Sequence, residues 1–262
     1  KFYGPTTLRN AITHSRNIVT IKILQKIGIK STVDFIRRTG IKSQINEDLS
    51  LALGSSGITP MDLTSAYSTF ARGGIRIPPT AIRYITDRNG NILEESNPTS
   101  EKVVSEEIAY VITNLLKNVV NQGTGKKVKA IGRPVAGKTG TTNNYVDAWF
   151  LGYTPERVTG VWVGMDDYTP LGKYETGSRT ASPIWLDYMK NVLKGSPITD
   201  FKAPPGIVFA KVNAKTGLLA ATGQKNYIFE SFIEGTVPEK YYTDKKEKRG
   251  DFLSEDLAIK VE

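Results

Sequence analysis

Apolar positions recur every three to four residues through the first half of the chain, a spacing typical of one buried helix face. They predict two helices within residues 7–28, another over 59–74 and a long helix that begins at Ser105. A break at residues 15–17 separates the first two. The second helix is rich in β-branched residues, which leaves a strand open as the alternative there.

Beyond residue 125 the pattern shortens to the alternation that strands show. Three strands are predicted, with short turns between them: 135–142, 146–153 and 158–165. Short turns favour antiparallel neighbours. A hairpin is predicted earlier, at 81–95, and a closing helix from Pro183. Helices, then a mainly antiparallel sheet, then a helix predict an α+β fold in α/β/α layers.

The sequence changes character near residue 196, where prolines become frequent and a charged run follows at Lys245–Arg249. We therefore predict a main domain over residues 1–195, and an extended tail or small appendage over residues 196–262.

Composition narrows the functional classes. The 262 residues are 39% hydrophobic, enough for a sizeable core, and the net charge of +9 indicates either anionic surroundings or a solvated basic surface. No RNA-binding motif is present, so no nucleic-acid partner is predicted. The chain has no cysteine and a single histidine, His14, so we predict neither a metal site nor a cofactor. No apolar run reaches the roughly 18 residues that span a membrane.

Two short triplets are candidate catalytic motifs, although each alone is common by chance. Ser15-Arg16-Asn17 has the pattern S-x-N, and Lys138-Thr139-Gly140 has the pattern K-T-G. A second K-T-G at residues 215–217 lies in the proline-rich tail, and we interpret it as an ordinary turn.

The residues around these triplets indicate a protein family more specifically than the triplets do. The informative blocks are Gly4-Pro5-Thr6-Thr7-Leu8, Thr59-Pro60, Gly73-Gly74, Arg133–Asn143, Asp147–Phe150, Gly152–Pro155, Val161–Gly164 and Ser182–Trp185. In this order they resemble the transpeptidase domain of class A penicillin-binding proteins over roughly residues 3–195. The resemblance implies a penicillin-binding transpeptidase or serine β-lactamase-like fold.

The resemblance also implies a function. Family members are serine D,D-transpeptidases that cross-link peptidoglycan stem peptides through an acyl-enzyme, and β-lactams acylate the same serine. Class A members also carry a glycosyltransferase domain and a membrane anchor upstream. It follows that the parent protein is expected on the extracytoplasmic face of the bacterial inner membrane, in the periplasm, attached only through that anchor.

The resemblance assigns catalytic roles to three residues. Ser15 has a hydroxyl that both accepts and donates, which suits relaying a proton to the leaving amine. Asn17 offers an amide to a substrate carbonyl and to a neighbouring lysine. Lys138 is a cation that attracts the substrate carboxylate. The alternatives are helix capping for the first two and a solvated strand-end lysine for the third.

Three further residues are predicted to bind substrate. The hydroxyls of Thr139 and Thr141 are expected to bind the carboxylate, and the backbone N–H of Thr141 is expected to stabilise the oxyanion. Gly140 has no side chain, which leaves room for an extended peptide along the strand. We predict that Trp149 and Trp162 are core residues.

One family motif is absent. No serine of the chain is followed three residues later by lysine, so the nucleophile-bearing S-x-x-K is not in this sequence. We expect a fold truncated on its N-terminal side, an inactive fragment, and an uncovered sheet that needs the missing N-terminal part of the same protein as its partner.

Three alternatives differ in class. Residues 132–139 fit the nucleotide-binding pattern G-x-x-x-x-G-K-[ST], which requires a helix to begin at the lysine. A serine hydrolase could use His14 beside Ser15, although adjacent helical residues point apart. The fragment could also be a non-catalytic wall-binding module that retains only the Lys138 side of the cleft.

Overall fold

The computed structural model describes residues 4–243. The α-helices in this range are α1 Leu8–Thr13, α2 Asn17–Ile27, α3 Ile29–Arg38, α4 Pro60–Ala71, α5 Glu106–Gln122 and α6 Ala181–Val192. The strands are β1 Ile75–Arg76, β2 Tyr84–Thr86, β3 Ile92–Glu95, β4 Glu101–Lys102, β5 Ala136–Thr141, β6 Asp147–Tyr153, β7 Val158–Gly164, β8 Ile207–Asn213 and β9 Tyr227–Ile233. Short 3₁₀ turns lie at Leu49–Leu53, Lys126–Ile131 and Asn143–Tyr145.

The central sheet is antiparallel, with the strand order β5-β6-β7. Lys138 lies opposite Leu151, and Gly140 lies opposite Trp149, which in turn lies opposite Trp162. Because side chains alternate across a strand, Lys138, Gly140, Trp149 and Trp162 share one face of the sheet. Both β5 and β7 are edge strands within the described part of the chain.

Helices cover both faces of the sheet. The face that carries Phe150 packs against Trp185 and Met189 of α6. The opposite face, at Ala136 and Tyr153, packs against α5 and α4. The hydroxyl group of Tyr153 lies 2.9 Å from that of Thr113 on α5, so the one polar atom of this buried ring has a partner. The α/β/α layering is therefore confirmed.

The sequence predicted most of these elements but missed others. The α1–α2 break, the α4 and α5 helices, the β2–β3 hairpin and the three central strands are confirmed. The helical interpretation of α2 is confirmed over the strand alternative. The closing helix α6 begins at Ala181, two residues before Pro183. Gly28 ends α2 as predicted, but it is also the N-cap of α3, a helix that was not predicted.

Residues after 196 contain a β-hairpin, β8–β9, which contacts α5. The second K-T-G forms the turn after β8, where the Asn213 side chain accepts hydrogen bonds from the N–H groups of Lys215 and Thr216. Its interpretation as a turn is confirmed. The charged run at Lys245–Arg249 lies outside the described residues, and the division of the chain at residue 195 stays a prediction.

Replacing Trp185 with alanine is expected to destabilise the protein by about 3–5 kcal/mol. Trp185 is fully buried, its ring packs edge-on against Phe150 at 5.3 Å between centroids, and its Nε1–H donates to the Thr159 carbonyl at 2.9 Å. Urea denaturation followed by circular dichroism measures the loss. The matched control is Lys190→Ala, an exposed position of the same helix, with an expected change of about 0.5 kcal/mol. Equal losses in the two variants would contradict this packing.

Candidate active site

The break between α1 and α2 presents a serine hydroxyl. Helix α1 ends at Thr13, α2 begins at Asn17, and Ser15 lies between them with φ of 53°. Positive φ is uncommon for a residue with a Cβ and is held only where the surrounding structure enforces it. Ser15 caps neither helix, because His14 is the C-cap of α1 and Arg16 the N-cap of α2. The capping alternative therefore fails for Ser15.

The lysine of the first K-T-G faces this serine. Lys138 Nζ donates to Ser15 Oγ at 2.6 Å and to the Thr139 carbonyl at 2.9 Å. The break and the strand are 123 residues apart in the chain, and the fold joins them at one site. Burial lowers the pKa of the Lys138 ammonium to about 8, because the charged form loses hydration. No acidic side chain pairs with Lys138 in the part of the chain that the structure describes.

A loop that sequence reasoning did not assign to the site connects its two sides. Thr124, just after α5, donates its backbone N–H to the Thr13 carbonyl at 3.3 Å, and its hydroxyl lies 2.6 Å from that of Thr139. A Cβ added to Gly123 would lie 2.2 Å from the Thr13 carbonyl oxygen, so the close approach requires glycine there. The available signal was the sequence Gly123-Thr124-Gly125, two glycines around a threonine directly after α5.

The other predicted residues lie on the two elements that meet at this contact, Asn17 at the start of α2 and Gly140 and Thr141 at the end of β5. Asn17 is exposed in the first turn of α2, and its side-chain amide has no hydrogen-bonding partner among residues 4–243. Thr141 Oγ1 accepts from the Gly177 N–H at 3.1 Å, which leaves its own hydroxyl proton available. A Cβ at Gly140 would lie 3.0 Å from Trp149 Cβ, so this glycine also accommodates a neighbouring tryptophan.

The prediction that Trp149 and Trp162 are core residues is wrong. Trp162 is 39% exposed and Trp149 is half-buried, with ring centroids 6.3 Å apart. Their sheet face is covered by α4 and α5 only near Tyr153, so its other end stays open. The two rings therefore form an aromatic wall on the Lys138 side of the sheet.

The structure argues against the nucleotide-binding alternative. Lys138 lies in the middle of β5, whereas the nucleotide-binding pattern requires a helix to begin there. Among residues 4–243 no group of three or more potential metal ligands comes together. No helix in that range has both the length and the apolar character needed to cross a membrane.

A three-stranded antiparallel sheet thus lies between helical layers, and an ammonium on β5, an edge strand within residues 4–243, faces a serine at an interhelical break. The family model of the penicillin binding protein transpeptidase domain matches residues 1–190. This chain belongs to that family, and its relatives are of the class A type.

Similar proteins include penicillin-binding protein 1A of Aquifex aeolicus, 41% identical over 91% of this chain, and that of Pseudomonas aeruginosa, 34% identical over 90%. The chain spans only about a third of each, 32% and 35%. The crystal structure of penicillin-binding protein 1A from Haemophilus influenzae superposes with a TM-score of 0.86 at 32% identity, covering 93% of this chain and 42% of that one. PonA1 of Mycobacterium tuberculosis in complex with penicillin V gives a TM-score of 0.67 at 26% identity, covering 78% and 60%.

Proposed function

We propose that the complete protein, meaning the full polypeptide encoded by its gene, is a peptidoglycan D,D-transpeptidase, and that this chain supplies one side of its active-site cleft. The observation that carries the proposal is the contact between Lys138 Nζ and Ser15 Oγ. It joins an ammonium and a hydroxyl beside the edge strand β5, and these groups suit binding a peptide carboxylate and relaying a proton.

The ammonium of Lys138 fits an anionic substrate group. It is largely removed from water, and no carboxylate of the described residues neutralises it. A buried cation without a counter-ion is costly, and an incoming carboxylate removes that cost. The C-terminal carboxylate of a stem peptide has this charge, and the hydroxyls of Thr139 and Thr141 on the same strand complete a binding site for it.

The reaction then follows from the chemistry of the groups. A serine nucleophile outside this chain gives its proton to a neighbouring base and attacks the carbonyl between the two terminal D-alanines, so that an acyl–serine ester forms as the C–N bond breaks. Ser15 hands a proton to the departing amine, because its hydroxyl donates while it accepts from Lys138. An amine of a neighbouring peptide next attacks the acyl-enzyme and completes the cross-link.

The remaining residues position the peptide. Asn17 offers its amide to a substrate carbonyl, and the backbone N–H of Thr141 on β5 is the proposed oxyanion donor. An extended peptide adds alongside β5, which has no neighbour on its outer side within residues 4–243. A β-lactam is expected to use the same contacts, because it presents a carboxylate beside a reactive carbonyl.

The rest of the same polypeptide is the proposed structural partner. Strand β7 has a free outer edge in the described range, and α6 presents Ile184, Tyr188 and Val192 at four-residue spacing toward solvent. An open strand edge beside an exposed apolar helix stripe is a surface that a larger domain covers. The upstream glycosyltransferase domain, the membrane anchor and the extracytoplasmic location belong to this same proposal.

A second candidate applies to this chain by itself. It retains the Lys138 side of the cleft without any S-x-x-K, so binding of stem peptide without turnover is the alternative.

The function is tested with the complete protein and a stem pentapeptide that ends in D-alanyl-D-alanine. Release of D-alanine and formation of cross-linked dimer are expected, and prior treatment with benzylpenicillin is expected to abolish both. A donor that ends in L-alanine is the matched control. Absence of D-alanine release from penicillin-sensitive, folded protein would contradict the proposal.

A further inference from the structure

We propose that the C-terminal hairpin β8–β9 positions the proton-relay serine, and that Glu230 and Arg9 are the positioning residues that connect them. The inference rests on the proposed function, because it concerns the same cleft. The hairpin lies beyond residues 1–190, the part matched by the family model, so the match does not include it.

Helix α1 is too short to be stable by itself. It has six residues, Leu8–Thr13, and helices this short are unstable without tertiary contacts. Ser15 follows it by two residues, and the Ser15 N–H donates to the Ile12 carbonyl at 3.2 Å. The position of Ser15 Oγ therefore depends on whatever fixes α1.

The charged contact that holds α1 near its beginning comes from the hairpin. Arg9 donates from Nε and Nη2 to the two carboxylate oxygens of Glu230 on β9. The same guanidinium donates to the side chain and to the backbone carbonyl of Asn114 on α5. Both charged side chains are mostly buried, 13% and 14% exposed. A two-pronged contact of this kind restricts rotation as well as translation of the helix.

A second set of bonds carries this restraint along α1. Thr13 Oγ1 donates to the Arg9 carbonyl at 2.7 Å and accepts from Asn118 Nδ2 at 2.7 Å. The backbone turn at Ser15 begins directly after this buried threonine. Turning α1 about its axis would therefore move Ser15 Oγ away from Lys138 Nζ.

The hairpin itself is held against α5, the helix that leads to the Thr124 loop. Phe209 of β8 packs edge-on against Tyr110 of α5, with ring centroids 6.4 Å apart. Glu230 lies opposite Ala210, the next residue along β8. The hairpin, α5 and α1 thus form one unit, in which Glu230 is the hairpin residue that reaches α1.

The test is the rate of benzylpenicillin acylation in the complete protein, expressed per titratable active site. Glu230→Gln keeps the size of the side chain and removes the charge, and the rate at saturating penicillin is expected to fall on the order of tenfold. The half-saturating concentration should change little. Glu234→Gln, an exposed carboxylate just beyond β9, is the matched control and should keep the wild-type rate. Arg9→Lys keeps the charge but loses the two-pronged contact, and it should show the same defect.

A structural role alone would reduce the fraction of active protein without changing the rate per site. An unchanged saturating rate in folded Glu230→Gln, or a change only in the half-saturating concentration, would overturn the inference. If that variant does not fold, Arg9→Lys decides in the same way. A wild-type protein that is not acylated at all would instead reject the proposed function, and the inference with it.

Discussion

Replacing Lys138 with alanine in the complete protein is expected to slow acylation by benzylpenicillin on the order of a hundredfold or more. The substitution removes the cation that we assign to the incoming carboxylate and also the donor to Ser15 Oγ at 2.6 Å. Both losses act at the same step, so the effect should exceed that of losing one neutral hydrogen bond. Stopped-flow acylation per active site measures it.

The matched control is Lys190→Ala on α6. It removes the same charge from an exposed position on the other side of the sheet, and it should leave the rate unchanged. A Lys138→Ala protein that is folded and acylated at the wild-type rate would show that this ammonium takes no part in the reaction.

The pH dependence should follow the same ammonium. Burial lowers the pKa of Lys138 to about 8, so the charged fraction falls as the pH rises through that value. The acylation rate of the wild-type protein is therefore expected to decline above pH 8. Lys138→Arg keeps its charge across this range, and its lower rate should lack the decline. If the acylation rates of both proteins decline in the same way above pH 8, the decline is caused by the titration of another group.

The chain by itself is not expected to react with penicillin. The 262-residue polypeptide should take up no fluorescent penicillin, whereas the complete protein should be labelled once per molecule. No serine of the chain has a lysine three residues later, so the proposed nucleophile and its base come from elsewhere in the polypeptide. Intact mass after incubation with penicillin distinguishes zero from one adduct.

A penicillin adduct on Ser15 would contradict this expectation. Its hydroxyl already lies 2.6 Å from an amine whose pKa is lowered to about 8, an arrangement that a serine–lysine nucleophile pair also uses. We assign Ser15 to proton relay because it is the serine of the S-x-N motif, whereas the nucleophile of this family belongs to S-x-x-K. Labelling that is lost in Ser15→Ala would reverse the assignment and make Ser15 the nucleophile.

The sequence predicted the site better than its surroundings. Ser15 and Lys138 were paired through short motifs and their neighbouring blocks, and the fold brings them into contact. Thr124 was not found, because its role depends on where the end of α5 meets Thr13 and β5. Unlike Ser15 and Lys138, Thr124 belongs to no recognised motif, so nothing in the sequence pointed to its contacts with Thr13 and Thr139.

The errors in the fold have the same origin. Trp149 and Trp162 are large and apolar, which favours burial, but helix coverage of their sheet face stops near Tyr153. Helix α3 was missed because a glycine commonly ends a helix, and here Gly28 joins two of them with φ of 93°. In both cases tertiary arrangement, which residue type does not determine, decided the outcome.

The most direct test of the central claim is a crystal structure of the complete protein after acylation by penicillin. We expect the β-lactam carboxylate within about 3 Å of the Thr139 and Thr141 hydroxyls, with Lys138 and Ser15 lining the same side of the adduct. A carboxylate bound away from β5, with Lys138 still turned toward Ser15 alone, would contradict the account.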